Sequence, residues 1–235
     1  MRKIIYGILP VLLLLGSCTG CVKWPEPAIL NEAPYPIPKT EVKKKEAEYH
    51  SMSCANLGWS DLKKNYVSSQ DVYYLKSAGE LFNWAWKADT KNYYTYWGWG
   101  VIRGYQSEFA EKPSQAETYL KQSIQFLKLA KKYDVSHKDQ CNIDLDLDLA
   151  NAYNGLGAFY LKVNNNTEST KALDSGEKLI STVLQQAPKN GRAYFLLSVN
   201  FYYRQNYHEA KVNADNAQKY QFKVSPDYLK ELHSR

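Results

Sequence analysis

The sequence contains few histidines and cysteines, which are common residues of metal centres and catalytic sites. Its four histidines, at positions 50, 137, 208 and 233, are scattered and form no His and Cys cluster with ligand spacing, so zinc is not expected. The acidic run Asp144–Asp148 lacks the glycine and the glutamate that a calcium-binding EF-hand loop requires. No arrangement of serine, histidine and aspartate, and no pair of carboxylates, indicates a catalytic site. We therefore expect neither an enzyme nor a bound metal or cofactor.

A strong charge of one sign is also missing. The chain has 30 Lys and Arg against 24 Asp and Glu, a formal net charge of +6, and the positive residues are spread out. Because clustered positive charge marks a phosphate-binding face, we expect no nucleic acid partner. Aromatic residues, by contrast, are abundant, with 20 Tyr and 6 Trp. Aromatics at this density need packed interfaces, which predicts a folded body.

The only long apolar run lies at the N-terminus and is too short to cross a bilayer comfortably. Ile4–Leu15 follows the basic residues Arg2 and Lys3, the pattern of a secretory signal peptide. Next comes Leu15-Gly16-Ser17-Cys18, which resembles the lipobox of bacterial lipoproteins. The resemblance implies that residues 1–17 are removed and that Cys18 becomes the acylated first residue. The alternative is an ordinary cleaved signal that ends at Ser17 and leaves Cys18 as a free thiol.

The residues after Cys18 indicate which membrane the protein is attached to and how the helical body is connected to it. Thr19 stands where an aspartate retains many such lipoproteins at the inner membrane, so the resemblance implies an outer-membrane anchor facing the periplasm. Residues 18–45 form the predicted linker, whose five prolines at 25, 27, 34, 36 and 38 favour an extended, semi-rigid tether. In an exported protein, Cys54 and Cys141 could form a disulfide, and pairing of Cys21 with either is an alternative.

Residues 46–235 carry a recurring helical motif. One copy is Tyr153-x-x-Leu156-Gly157-x-x-Tyr160, another is Tyr96-x-x-Trp99-Gly100, and the small residues Ala78 and Ala210 occupy second helices. These motifs resemble the tetratricopeptide (TPR) repeat over roughly residues 60–222. The resemblance implies an all-α fold, a right-handed α-solenoid of about three to four TPR-like helical hairpins. We interpret Val163–Thr170 as an insertion into one hairpin loop.

The first helices of TPR repeats line a concave groove, and their exposed positions bind partners. Carried over by offset, the expected partner-binding residues are Tyr94, Trp97, Asn151, Asn154, Arg192, Phe195 and Tyr202. The aromatic residues suit the anchoring of a peptide, and the two asparagines suit hydrogen bonds to its backbone. The alternative is that some of these aromatics pack against the N-terminal segment or a neighbouring helix.

The resemblance to outer-membrane TPR lipoproteins implies an adaptor or scaffold. Such a protein would be attached to the membrane by its lipid and would bind another envelope protein, or an extended peptide, through the groove. A small-ligand-binding accessory subunit of an envelope transport system is the alternative, and it predicts a closed aromatic pocket. The sequence makes no prediction of the oligomeric state.

Overall fold

The computed structural model describes residues 40–66, 71–137 and 142–235, with Pro27 as a single further residue, and most of these residues are helical. These residues form nine α-helices and no strand, which confirms the predicted all-α fold. The helices are α1 (Glu41–Ser60), α2 (Val72–Ala88), α3 (Tyr93–Glu108), α4 (Pro113–Tyr133), α5 (Ile143–Lys162), α6 (Asn166–Gln186), α7 (Gly191–Tyr203), α8 (Tyr207–Lys219) and α9 (Pro226–His233). A π-helical turn, Asp61–Tyr66, continues α1, and a 3₁₀ turn, Val135–His137, follows α4.

Polar side chains cap the starts of most helices. Thr40 accepts a hydrogen bond from the Lys43 amide, so α1 begins at Glu41, inside the predicted linker. Asparagine caps four helices by accepting from the amide three residues later. These caps are Asn142 before α5, Asn165 before α6, Asn190 before α7 and Asn206 before α8.

The chain folds as two compact units. An N-terminal unit holds the described residues up to Arg103 together with Gln125–Ser136. A C-terminal unit holds Gly104–Ile124 and His137–Arg235. The division was not foreseen, since the sequence motifs continue across it.

In the N-terminal unit, α1 packs along α2 around a fully buried Phe82. Ser51 on α1 donates a hydrogen bond of 2.7 Å to the Ala85 carbonyl on α2, and the Asn92 amide donates to Ser51 at 2.9 Å. Gly98 on α3 lies so close to the Phe82 ring that an added Cβ would approach it to 2.2 Å. A side chain at position 98 would therefore force α3 away from α2.

In the C-terminal unit, α5 pairs with α6, and α7 pairs with α8. Helix α7 also contacts both α5 and α6, so the second hairpin lies against the first. The apolar core between them includes Leu147, Ile180, Val199 and Ala214, each almost fully buried. The final helix, α9, begins at Pro226 and buries Tyr228 and Leu232.

Both hairpins of the C-terminal unit close through the same tight turn. Asn164 and Gln205 adopt positive φ values of 59° and 61°, and each is followed by an asparagine cap. In the first turn the backbone N–H of Asn165 donates to the Tyr160 carbonyl at 2.8 Å. In the second turn the backbone N–H of Asn206 donates to the Phe201 carbonyl at 3.0 Å. The glutamates three residues after the caps, Glu168 and Glu209, have the spacing of a capping box.

The predicted insertion at Val163–Thr170 is therefore wrong. Helix α6 already begins at Asn166, because Asn165 caps it directly after the three-residue turn. Ser169 is the residue of α6 whose hydroxyl contacts Gly157, and it donates to the Gly157 carbonyl at 2.9 Å. Residues 166–170 of the predicted insertion instead belong to α6, which runs to Gln186.

Candidate functional site

The predicted packing residues of the N-terminal unit lie in its interior. Ala78, Tyr96, Trp99 and Gly100 are all buried. The Tyr96 hydroxyl donates to the Thr90 carbonyl at 2.6 Å and accepts from the Trp86 indole at 3.3 Å. The Tyr96 ring also stacks on Tyr133, with centroids 5.1 Å apart. Tyr96 therefore connects the turn before α3 to the end of α4.

The predicted partner-binding residues Tyr94 and Trp97 belong to a group of rings, here called the aromatic cluster, that also contains Trp59 and Tyr93. Tyr94 stacks on Trp97 at 6.0 Å, and Trp97 meets Trp59 of α1 edge-on at 5.1 Å. The Lys63 ammonium lies over both indoles, 4.7 Å from Trp59 and 5.6 Å from Trp97. Trp97 is only 6% exposed, so it packs against the N-terminal helix, which is the alternative left open above. Tyr94 remains partly exposed.

In the C-terminal unit the predicted packing residues again occupy the interior. Leu156, Gly157, Tyr160 and Ala210 are buried, and Tyr153 is half-buried. A Cβ at Gly157 would meet Leu173 of α6 at 2.7 Å, which explains the glycine at this crossing. At the equivalent crossing of the next hairpin, the Ser198 hydroxyl donates to the Ala210 carbonyl at 2.6 Å.

Asn154 serves the interior of the fold. It is completely buried, and its amide donates to the Leu196 carbonyl on α7 at 3.0 Å. Its side-chain oxygen accepts from the amide of Asn200 at 2.7 Å, and Asn200 also donates to the Leu173 carbonyl on α6 at 2.8 Å. Arg204 completes this network by donating to the Asn200 oxygen at 2.9 Å. These asparagines therefore join α5, α6 and α7, and Asn154 offers no group to a peptide.

Four polar residues on α5 and α7 form a second group, here called the polar strip: Asp144, Asp148, Asn151 and Arg192. The Arg192 guanidinium bonds to Asp148 and lies 3.7 Å from Asp144. The Asp144 side chain is 69% exposed and that of Arg192 is 32% exposed. The Asn151 side-chain oxygen is buried and has no hydrogen-bond partner among the residues that the structure describes. Helical spacing puts Asp144, Asp148 and Asn151 on one face of α5.

The two remaining predicted residues, Phe195 and Tyr202, lie beneath the C-terminal segment. Phe195 is 5% exposed and stacks on Phe222, with ring centroids 5.1 Å apart. It also meets Tyr228 of α9 edge-on at 5.6 Å. The Tyr202 hydroxyl donates to the Glu231 carboxylate on α9 at 3.0 Å. Both rings are thus occupied by contacts within the chain.

The cysteine predictions lie largely outside the described residues. This applies to Cys18, with its lipidation, and to Cys21 and Cys141, so the proposed disulfide stays a prediction. Cys54 is buried, and its sulfur lies 3.7 Å from Nε2 of His50. Burial raises the pKa of the Cys54 thiol, which disfavours the reactive thiolate.

The described residues lack two features that would indicate a metal centre or a membrane span. They contain no group of three or more His, Cys, Asp or Glu placed to hold a metal ion. None of the helices among them is sufficiently long and apolar to cross a membrane.

Sequence reasoning missed Lys63, Gly98 and Asn200. Lys63 is not a position of the TPR motif. It reaches the tryptophans only because the π-helical turn that continues α1 places it over them. In Trp97-Gly98-Trp99-Gly100 the two glycines alternate with tryptophans, and the motif assigns a role only to Gly100. The contact with Phe82 shows that Gly98 allows α3 to approach α2 closely. Asn200 could have been suspected, because it is a polar residue at a position of α7 where the helical spacing predicts an apolar one.

Comparisons with protein-family models, with curated proteins and with solved structures find no match to this chain.

Proposed function

We propose that this protein is a lipid-anchored adaptor of the bacterial cell envelope, which binds another envelope protein through the concave groove that its first helices line. Repetition of the hairpin supports the repeat architecture. The two hairpins of the C-terminal unit share their turn, their asparagine cap and their close helix crossing, and α7 contacts both helices of the preceding hairpin. We infer that these are TPR-like hairpins of a right-handed solenoid, with a repeat longer than the usual 34 residues.

The polar strip is the observation that carries the binding proposal. Its charged and amide groups occupy first-helix positions that TPR proteins use for partners, and the side chains of Asp144 and Arg192 stay partly accessible. Arg192 has five N–H donors, and two carboxylates fix its orientation. Asn151 adds an acceptor that has no partner within the described residues. Such groups suit the backbone and the charged side chains of an extended peptide.

The anchor in this proposal rests on the sequence of Leu15–Cys18. A cysteine that carries several acyl chains attaches a protein firmly to a membrane, whereas a single acyl chain gives only marginal binding. The proline-rich linker would then separate the helical body from the bilayer. The location that follows is the periplasmic face of the outer membrane.

Crosslinking in living cells, followed by purification through a C-terminal tag, tests the binding face. The test variant is Asn151→Ala with Arg192→Ala, and the matched control is Lys178→Ala with Asp215→Ala, two exposed positions on second helices. We expect the native chain and the control to recover the same envelope protein and the test variant to recover about tenfold less of it. Equal recovery by a folded test variant would contradict the proposal. Recovery of nothing, together with a tryptophan response to a small molecule, would favour the ligand-binding alternative.

A further inference from the structure

The C-terminal segment covers a surface of α7, here called the aromatic face, made of Phe195, Ser198 and Tyr202. Tyr228 of α9 contacts every member of it. Its ring lies 5.6 Å from that of Phe195 and 5.9 Å from that of Tyr202, and its hydroxyl lies 2.7 Å from the Ser198 hydroxyl. The aromatic face is thus shaped and hydrogen-bonded to receive one tyrosine.

The element that covers the aromatic face is small. Helix α9 has 8 residues, and it buries fully only Tyr228 and Leu232. Leu229 packs against the same core and is partly buried. The polar attachment is partly exposed: Glu231 accepts from Tyr202 at 3.0 Å and from Arg235 at 2.8 Å. Arg235 in turn lies 5.9 Å from the Tyr207 ring. Because exposed ion pairs contribute little, few strong contacts hold α9 in place.

The position of α9 repeats that of α7. Helix α7 follows α6 and contacts both helices of the hairpin before it, and α9 follows α8 and contacts α8 as well as α7. The aromatic face therefore accepts a helix that enters as the first helix of another hairpin would.

We propose that the aromatic face of α7 is a helix-binding surface, which α9 closes in the free protein. The partner it fits is an amphipathic helix that carries an aromatic residue, an acidic residue three positions later and a leucine at the fourth, as Tyr228, Glu231 and Leu232 do. The aromatic residue takes the place of Tyr228, and the acidic residue accepts from the Tyr202 hydroxyl. This inference rests on the proposed adaptor function and assigns it a second surface, separate from the polar strip.

A labelled peptide of residues 222–235 serves as the probe partner. In the full chain, Tyr228→Ala with Leu232→Ala removes the two buried side chains of α9 and leaves the aromatic face unchanged. We expect the peptide to bind this variant at least about tenfold more tightly than the native chain, where α9 competes with it. Adding Tyr202→Phe should weaken that binding, because the bond to the acidic residue is lost. A peptide with the same two alanines should not bind.

Equal binding of the peptide to the native chain and to the folded variant, or no binding to either, would overturn the inference. If the variant does not fold, hydrogen exchange of the native chain decides. We expect amides of α9 to exchange at least about tenfold faster than those of α7, through local opening. Equal protection of the two helices would overturn the inference, and so would a native dimer that exchanges α9 between copies. None of these results bears on the polar strip, so the adaptor function can stand or fall separately.

Discussion

The buried pair of Asn154 and Asn200 should be energetically coupled. Asn200→Ala removes two donated hydrogen bonds, of 2.7 Å to Asn154 and 2.8 Å to the Leu173 carbonyl, and leaves the Asn154 oxygen without a partner in the interior. A net contribution of about 1 kcal/mol per bond and a similar penalty for the orphaned acceptor give a loss of about 2–4 kcal/mol. Asn154→Ala should cost a similar amount, because it removes the 3.0 Å bond to the Leu196 carbonyl as well as the bond shared with Asn200.

A double-mutant cycle measures that coupling. The Asn154→Ala, Asn200→Ala double variant should lose about 1 kcal/mol less than the sum of the single losses, because each single change already breaks the shared bond. Urea unfolding followed by circular dichroism gives these free energies. All six tryptophans lie between positions 24 and 99, so tryptophan fluorescence separately reports the N-terminal unit. Exposed Asn166→Ala is the control and should change stability by less than about 0.5 kcal/mol. Additive losses would refute the network.

Three further predictions concern other parts of the chain. Gly98→Ala should destabilise the N-terminal unit by about 1–3 kcal/mol, because the methyl group would meet the buried Phe82 ring; an unchanged fluorescence transition in urea would contradict this. Cys18→Ser should move the protein from the membrane fraction to the soluble fraction, with the loss of acyl mass in mass spectrometry; retention at the membrane would contradict the anchor. Arg235 and the Tyr202 hydroxyl hold the pKa of Glu231 below its usual value, so its stabilisation of α9 is complete above pH ~4.3 and is lost as the pH falls further. Protection of α9 relative to α7 should therefore fall in acid, and Glu231→Gln should remove that dependence.

The sequence predicted the class of fold and most of the packing positions. Tyrosine, leucine and glycine at the spacing of Tyr153–Tyr160 mark one face of a helix, and that face is buried apart from the half-buried Tyr153. The same local logic failed at residues 163–170. A run of three asparagines suggests a loop, but one of them adopts positive φ and the next caps a helix, so that the turn takes only three residues.

The candidate site was less predictable, because an offset identifies a position on a helix without showing what covers it. Trp97 and Phe195 stand at partner-binding offsets, yet Trp59 packs against the first, and Phe222 and Tyr228 pack against the second. Those neighbours lie at or beyond the ends of the region in which the sequence predicts repeats. Asn154 differs again, since its partner Asn200 lies on another helix and only the folded chain brings their amides together.

Site-specific photo-crosslinking in living cells tests the central claim most directly. A photoreactive residue would be placed at Asp144 or Tyr94 on first helices, and at Lys178 or Asp215 on second helices, all of them exposed or half-buried. The adaptor proposal predicts that one envelope protein is crosslinked from the first-helix positions and not from the second-helix positions. A crosslink to that protein only from Lys178 or Asp215 would contradict it.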